Sequence, residues 1–213
     1  AKGYPSTMIE GARPLQTGQH MAGRAVTLRY VPHRPDLAED KPKGVESAEY
    51  VAFELCGPGE ILVVDALGWQ YSSIGGDIKF FRLYQRNVGG LVTDGSVRDS
   101  LSLKEYGFPV YCYSTTAKQG PADFWPWQVN DMIQCGGVLV RPGDGLVGDD
   151  DGVVVVPQTM VDEVIRIAEE RHVVEQVIKT QLEVENVSPG KYYPFNECTW
   201  SLYEEKTGKK RTG

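Results

Sequence analysis

Taken as a pattern of apolar and polar positions, the chain alternates short extended runs with fewer helical ones. Residues 25–30 (AVTLRY) alternate and are rich in β-branched side chains, which predicts a strand. Residues 31–44, rich in Pro, Asp and Lys, read as a surface loop, and residues 46–55 as a weak helix. The turn Gly57-Pro58-Gly59 leads into EILVVD at 60–65, which reads as a buried-type strand. Residues 77–87 (DIKFFRLYQRN) predict a helix with Ile78, Phe81, Leu83 and Tyr84 available for its buried side, ended by Gly89-Gly90. LVTD at 91–94 is a second short buried strand, 94–96 a turn, and 97–100 the opening of another helical stretch.

Further strands are predicted at 109–114, 138–140 and 153–156, with turns at 142–144 and 149–152 around short β segments. Residues 158–185 read as one long helix or two, with an apolar series that includes Val161, Val164, Ile165, Val174, Ile178 and Leu182. Short strands mixed with a few helices point to a layered α/β domain. The expected organisation is a domain over residues 1–186 that includes the C-terminal helix, followed by an aromatic, Pro/Gly-rich arm at 187–213.

Composition narrows the function classes. The net charge of -7 argues against a nucleic-acid partner, because phosphate backbones select basic surfaces. No apolar run approaches the roughly 18 residues of a membrane span, and the first residues lack the order of a secretory signal, so a cytoplasmic protein is expected. Cys56, Cys112, Cys135 and Cys198 form no CxxC pair and are expected to be free buried thiols. With three histidines in the chain, a bound metal would have to rest on carboxylates and water, which suits Mg²⁺ or Mn²⁺.

Two segments concentrate polar chemistry. Gly75-Gly76-Asp77-Ile78-Lys79 places glycines before a helix, where amides and dipole can cradle an anion; a plain turn and cap is the bland reading. Asp94-Gly95-Ser96-Val97-Arg98-Asp99 follows a buried strand, where ligands gather in α/β sheets. Arg98 can grip a carboxylate and Asp99 can bind Mg²⁺; a salt bridge closing a turn is the alternative. Asp149-Asp150-Asp151 is read as a solvated turn, and Trp125-Pro126-Trp127 as an aromatic loop at a subunit interface or on a ligand.

These segments in series, with GFPV at 107–110, CGGV at 135–138, RPGD at 141–144 and DDDGVVVVP at 149–157, resemble the 4-hydroxy-4-methyl-2-oxoglutarate aldolases. That family also includes the regulator of ribonuclease E activity A, and the resemblance runs roughly from residue 8 to 175. It implies a β/β/α sandwich similar to the phosphohistidine swivelling domain, assembled as homotrimers or hexamers with sites at subunit boundaries. It further implies that the backbone of Gly76, Asp77, Ile78 and Lys79 cradles a substrate carboxylate, that Arg98 contacts the 2-oxo acid and that Asp99 binds the metal. An acidic residue of a neighbouring C-terminal helix near the metal matches Glu175, with Glu169 or Glu170 as alternatives.

The implied activity is metal-dependent cleavage of 4-hydroxy-2-oxo acids to pyruvate, with oxaloacetate decarboxylation through the same enolate. Rival readings are a non-catalytic regulator that binds a ribonuclease, or a lyase or hydratase of sugar-derived 2-oxo acids. That regulator branch usually has Asn-Gly at the position of Asp94-Gly95. The loop at 31–44, the insert at 117–129 and the arm after residue 186 depart from the family pattern. A quinone methyltransferase finds no glycine-rich nucleotide signature here.

Overall fold

The segment Glu60–Asp65, apolar at its four inner positions, is the strand around which the first part of the chain is organised, and five of its six residues are buried. Leu62 and Val64 face one apolar cluster, and Ile61 and Val63 face another. That is the period-two alternation of a strand covered on both faces. The computed structural model describes residues 3, 4 and 6–211. They fall into two compact units, Ala1–Gln158 and Thr159–Gly213.

The strands of the first unit are β1 (Met8–Ile9), β2 (Arg13–Pro14), β3 (Met21–Pro32), β4 (Glu60–Asp65), β5 (Gly90–Thr93), β6 (Ser96–Val97), β7 (Val110–Cys112), β8 (Ser114–Thr115), β9 (Phe124–Val129), β10 (Ile133–Cys135), β11 (Val138–Val140), β12 (Gly145–Asp149) and β13 (Gly152–Val156). Its α-helices are α1 (Ala48–Leu55), α2 (Asp77–Gln85) and α3 (Ser100–Tyr106). One nine-stranded sheet runs β1-β13-β12-β3-β4-β5-β7-β2, with β9 paired to β3 off this path. β3, β4, β5 and β7 pair in parallel, and each step between them carries one helix, the crossover that parallel strands require.

Helices α1 to α3 cover one face through Phe53, Phe80, Leu83 and Leu103. On the other face, the β10–β11 hairpin and the inward residues of β1, β12 and β13 close over Ile61, Val63, Val92 and Tyr111. This is the mixed α/β layering expected from the sequence.

Several elements differ from the expectations. In α2 the buried side chains are Phe80 and Leu83, whereas Ile78 is 84% exposed and Phe81 and Tyr84 also reach solvent. The helix has two apolar stripes, and the sheet takes the one carrying Phe80. The outer stripe packs on itself and on α3, with Tyr84 stacked on Tyr106 at 5.3 Å and Phe81 at 5.6 Å from it. The stretch at 97–100 is not the first turn of a helix: β6 ends at Val97 and α3 begins at Ser100. The aromatic segment is a strand, β9, rather than a loop. Trp125 is buried there, with its Nε1 donating to the Pro121 carbonyl at 3.1 Å. Cys56, Cys112 and Cys135 are buried, but Cys198 is exposed.

In the second unit α4 (Val161–Glu185) is one continuous helix, and α5 (Glu197–Thr207) follows, started by a capping box between Asn196 and Thr199. Val174 and Ile178 of α4 pack with Tyr192, Leu202 and Tyr203. That cluster joins the C-terminal arm to α4 within the second unit, which begins at Thr159. Among the described residues no helix is long and apolar enough to cross a membrane.

Candidate active site

β6 and β8 pair in parallel beyond the end of β5, and this small ladder carries the chain into the site. The Arg98 N–H donates to the Gly75 carbonyl at 3.0 Å, which joins the start of the Arg98-Asp99 pair to the loop before α2. Asp99 then adopts φ 54°, ψ 41°, a left-handed conformation that Asp tolerates at a cost of about 1 kcal/mol. The turn brings its carboxylate to the first turn of α2, where the Asp77 N–H donates to Asp99 Oδ2 at 3.1 Å.

Gly76 is required by this close approach. A Cβ there would lie 2.3 Å from Asp99 Oδ2 and 2.5 Å from Arg98 Cγ. The head of α2 therefore already meets one anion, the Asp99 carboxylate.

Arg98 is half-buried, and its Nε is a buried atom with no hydrogen-bond partner among the described residues. It lies 3.4 Å from Asp99 Oδ2, near enough for ionic attraction. The two side chains form an ion pair, although Nε makes no hydrogen bond within it. An N–H of this kind costs free energy until an oxygen meets it.

Asp77 Oδ1 accepts a hydrogen bond from the Tyr106 hydroxyl. Losing that proton would set a phenolate against a carboxylate, so the Tyr106 hydroxyl is pushed up to about 12. Tyr106 is a donor that sequence reading missed, and a tyrosine seven residues beyond Asp99 gives no local signal of it.

The Lys79 side chain does not line the cleft described below. Its Nζ lies 2.6 Å from Glu49 Oε2, and the buried Glu49 carboxylate also faces the Tyr30 hydroxyl at 3.3 Å. Paired in this way, Lys79 is neither a second carboxylate anchor nor a free amine for imine chemistry. Glu49 was likewise not anticipated, being one acidic residue of a weakly helical stretch.

Asp94 is structural. It is buried and accepts from the amides of Ala66 (2.8 Å), Gly68 (3.1 Å) and Gly136 (3.3 Å) and from Gln134 Nε2 (2.9 Å). Gln134 Nε2 also reaches Asp65 Oδ1 at 2.6 Å. Burial pushes the Asp65 carboxyl up, and the nearby Asp94 charge adds to the effect. The triple aspartate forms a turn, with Asp150 Oδ1 accepting from the Gly18 amide at 2.7 Å.

Asp77, Arg98 and Asp99 line an open cleft of about 560 Å³, whose other walls are Ser100, Leu101 and Ser102 of α3 and Thr115, Thr116 and Ala117 after β7. Of the other predicted site residues, Gly76 underlies the cleft, Ile78 points to solvent and Lys79 points to Glu49. Glu175 is half-buried on α4 and belongs to the second unit. No group of three or more His, Cys, Asp or Glu side chains able to hold a metal occurs among the described residues. Asp99 is a single hard oxygen donor at an open cleft. That fits an ion such as Mg²⁺, which is held by one or two carboxylates and keeps several waters.

The sequence matches the model of the RraA-like family, described as Aldolase/RraA, over residues 2–155. It is 32% identical, over 75% of this chain and 70% of the relative, to a Halalkalibacterium halodurans protein named "Putative 4-hydroxy-4-methyl-2-oxoglutarate aldolase". Protein DlpA of Legionella pneumophila is 27% identical over 82% of this chain, and the match spans 28% of that longer protein. Among solved structures, Streptomyces coelicolor RraAS2 is described as an unusual member of the RNase ES inhibitor RraA protein family. It is similar with a TM-score of 0.77 and 30% identity, covering 84% of this chain and 87% of that one.

Proposed function

Because the chain belongs to the Aldolase/RraA family, we propose that it is a divalent-metal-dependent, class II type lyase that cleaves 4-hydroxy-2-oxo acids to pyruvate and decarboxylates oxaloacetate. The observation that supports this most is the placement of Arg98, with its unsatisfied Nε, beside the Asp99 carboxylate on one open cleft. In this reading Arg98 grips the carboxylate of the 2-oxo acid and holds its positive charge next to the 2-oxo oxygen. Negative charge collects on that oxygen as the carbon–carbon bond breaks, and a fixed cation there lowers the barrier. Asp99 would hold Mg²⁺ or Mn²⁺, which when bound supplies Lewis-acid polarisation of the 2-oxo group.

Asp77, with Oδ1 engaged by Tyr106, offers its second oxygen to the substrate's C4 hydroxyl. Glu175 is proposed to reach the site from a neighbouring copy in a homotrimer or hexamer. No nucleic acid or membrane enters this scheme, and a cytoplasmic setting suits it.

The test is pyruvate release from oxaloacetate and from 4-hydroxy-4-methyl-2-oxoglutarate, coupled to lactate dehydrogenase, with and without Mg²⁺ or Mn²⁺. EDTA is expected to remove turnover and metal to restore it. Asp99→Ala should lower kcat/KM at least about a hundredfold, the scale of one lost electrostatic contact to developing charge, while its circular dichroism stays native. If that variant unfolds instead, Asp99 serves to hold the turn. A folded, metal-supplied protein that releases no pyruvate from either acid would leave two readings standing: a lyase of sugar-derived acids, or a binding regulator of the kind the Streptomyces coelicolor relative is described to be.

A further inference from the structure

The two carboxylates of the cleft wall, Asp77 and Asp99, are held by different partners. Asp99 Oδ2 accepts from the Asp77 N–H at 3.1 Å and lies 3.4 Å from Arg98 Nε. Asp77 receives the Tyr106 hydroxyl on Oδ1, and among the described residues its Oδ2 has no hydrogen-bond partner within the protein. One Asp77 oxygen is thus committed to a donor of the protein, and the other is available to a substrate.

The donor itself is fixed in place. Tyr106 is the last residue of α3, and its half-buried ring packs against the apolar cluster beneath the helices. Tyr84 stacks on that ring with centroids 5.3 Å and planes 23° apart, and Phe81 lies 5.6 Å from it. A ring packed in this way cannot follow a wandering carboxylate, so the carboxylate conforms to the ring. The hydrogen bond to Asp77 is the main reason the phenol is pushed up to about 12, and near neutrality it remains a donor. Tyr106 does not line the cleft, so its influence on a bound substrate passes through Asp77.

We infer that Tyr106 is a positioning residue for aldol cleavage alone: it fixes the Asp77 carboxylate where that group takes the proton of the C4 hydroxyl, and it has no part in decarboxylation. This rests on the lyase reading above and separates its two reactions. In aldol cleavage Asp77 accepts the hydroxyl proton as the C4 oxygen becomes a carbonyl. The C3–C4 electron pair passes into the enolate of pyruvate, and C3 gains a proton to balance the one lost. From 4-hydroxy-4-methyl-2-oxoglutarate the products are two molecules of pyruvate. Oxaloacetate has no C4 hydroxyl. Its C4 carboxylate leaves as carbon dioxide, the same electron pair forms the enolate, and C3 takes its proton from solvent. A misplaced base therefore slows the first reaction and not the second.

The experiment measures kcat and KM with Mg²⁺ for 4-hydroxy-4-methyl-2-oxoglutarate and for oxaloacetate, both read as pyruvate. Tyr106→Phe keeps the stacked ring and removes only the oxygen. It should lower the ratio of aldol to decarboxylase kcat about tenfold, the scale of one hydrogen bond to a charged group. Pyruvate affinity with Mg²⁺, measured by calorimetry, should stay at the native value. In an Asp77→Asn background, which lacks the base, Tyr106→Phe should change the ratio no further. Tyr84→Leu, which removes the stacked partner, should move the ratio the same way by a smaller factor, and it carries the test if Tyr106→Phe does not fold. Equal loss of both reactions, no loss, or the same loss in the Asp77→Asn background would overturn the inference and leave the lyase reading intact. Native turnover of oxaloacetate alone would overturn it too, leaving a decarboxylase. Absence of pyruvate from both acids would overturn the lyase reading and this inference with it.

Discussion

Asp94 and Asp99 lie five residues apart and do different work. Asp94 Oδ1 takes the Ala66 amide, and its Oδ2 takes two further amides and the Gln134 side chain. An amide nitrogen in place of Oδ2 would point a donor at three donors. Asp94→Asn should therefore destabilise the fold by about 2 kcal/mol or more, seen as a lower urea midpoint; an unchanged midpoint would show that this network tolerates a neutral side chain. The segment at 94–99 stood out in the sequence as one polar cluster after a strand, and its Arg98 and Asp99 do line the cleft. The role of Asp94 could not be read there, because its donors come from residues 66, 68, 134 and 136, and only the folded sheet assembles them. Lys79 is similar: its partner Glu49 lies thirty residues away on another helix.

At the scale of elements, periodicity served best where one answer was possible. Glu60–Asp65 is apolar at all four inner positions, 61–64, which suits burial on both faces. The nine residues of α2 carry two apolar stripes, so burial of Phe80 rather than Ile78 had to await the sheet. β9 was missed because Pro126 and two tryptophans look like a loop until β3 is seen to accept them as a partner strand. Helix α4 offers a test of its own. Glu185 sits at its C-terminus, where the helix dipole disfavours an anion. Hydrogen bonds from Lys191 (2.7 Å), Gln181 (2.9 Å) and Tyr192 (3.0 Å) nonetheless hold its carboxyl down at about 2, against an ordinary 4.5. A carboxyl lowered in the folded state adds stability that is complete above its unfolded value and lost as pH falls toward the folded one. The melting temperature of the native chain should thus exceed that of Glu185→Gln near neutrality. The gap should close between pH of about 4.5 and about 2. A gap independent of pH would assign the effect to packing.

For the whole molecule, the distribution of thiols reports on how completely the clusters are closed. Burial raises Cys56 and Cys112 to about 12 and lifts Cys135 well above the ordinary thiol value, while Cys198 is exposed. Since the thiolate is the reactive form, Ellman's reagent should titrate one thiol per native chain quickly and the other three only on unfolding. Faster reaction of more than one would mean that a face of the sheet opens in the native state.

The margins of that sheet carry a further consequence. β1 and β2, at its two ends, are each two residues long, β2 ends in Pro14, and the side strand β9 contains Pro126. Proline has no amide hydrogen to donate, and a two-residue strand offers almost no ladder. The sheet is therefore a poor template for the backbone of another polypeptide. Copies of this chain that meet must recognise each other through the shape and chemistry of their side chains, which point mutations can tune one residue at a time, and growth into fibrils by strand addition is disfavoured from the outset.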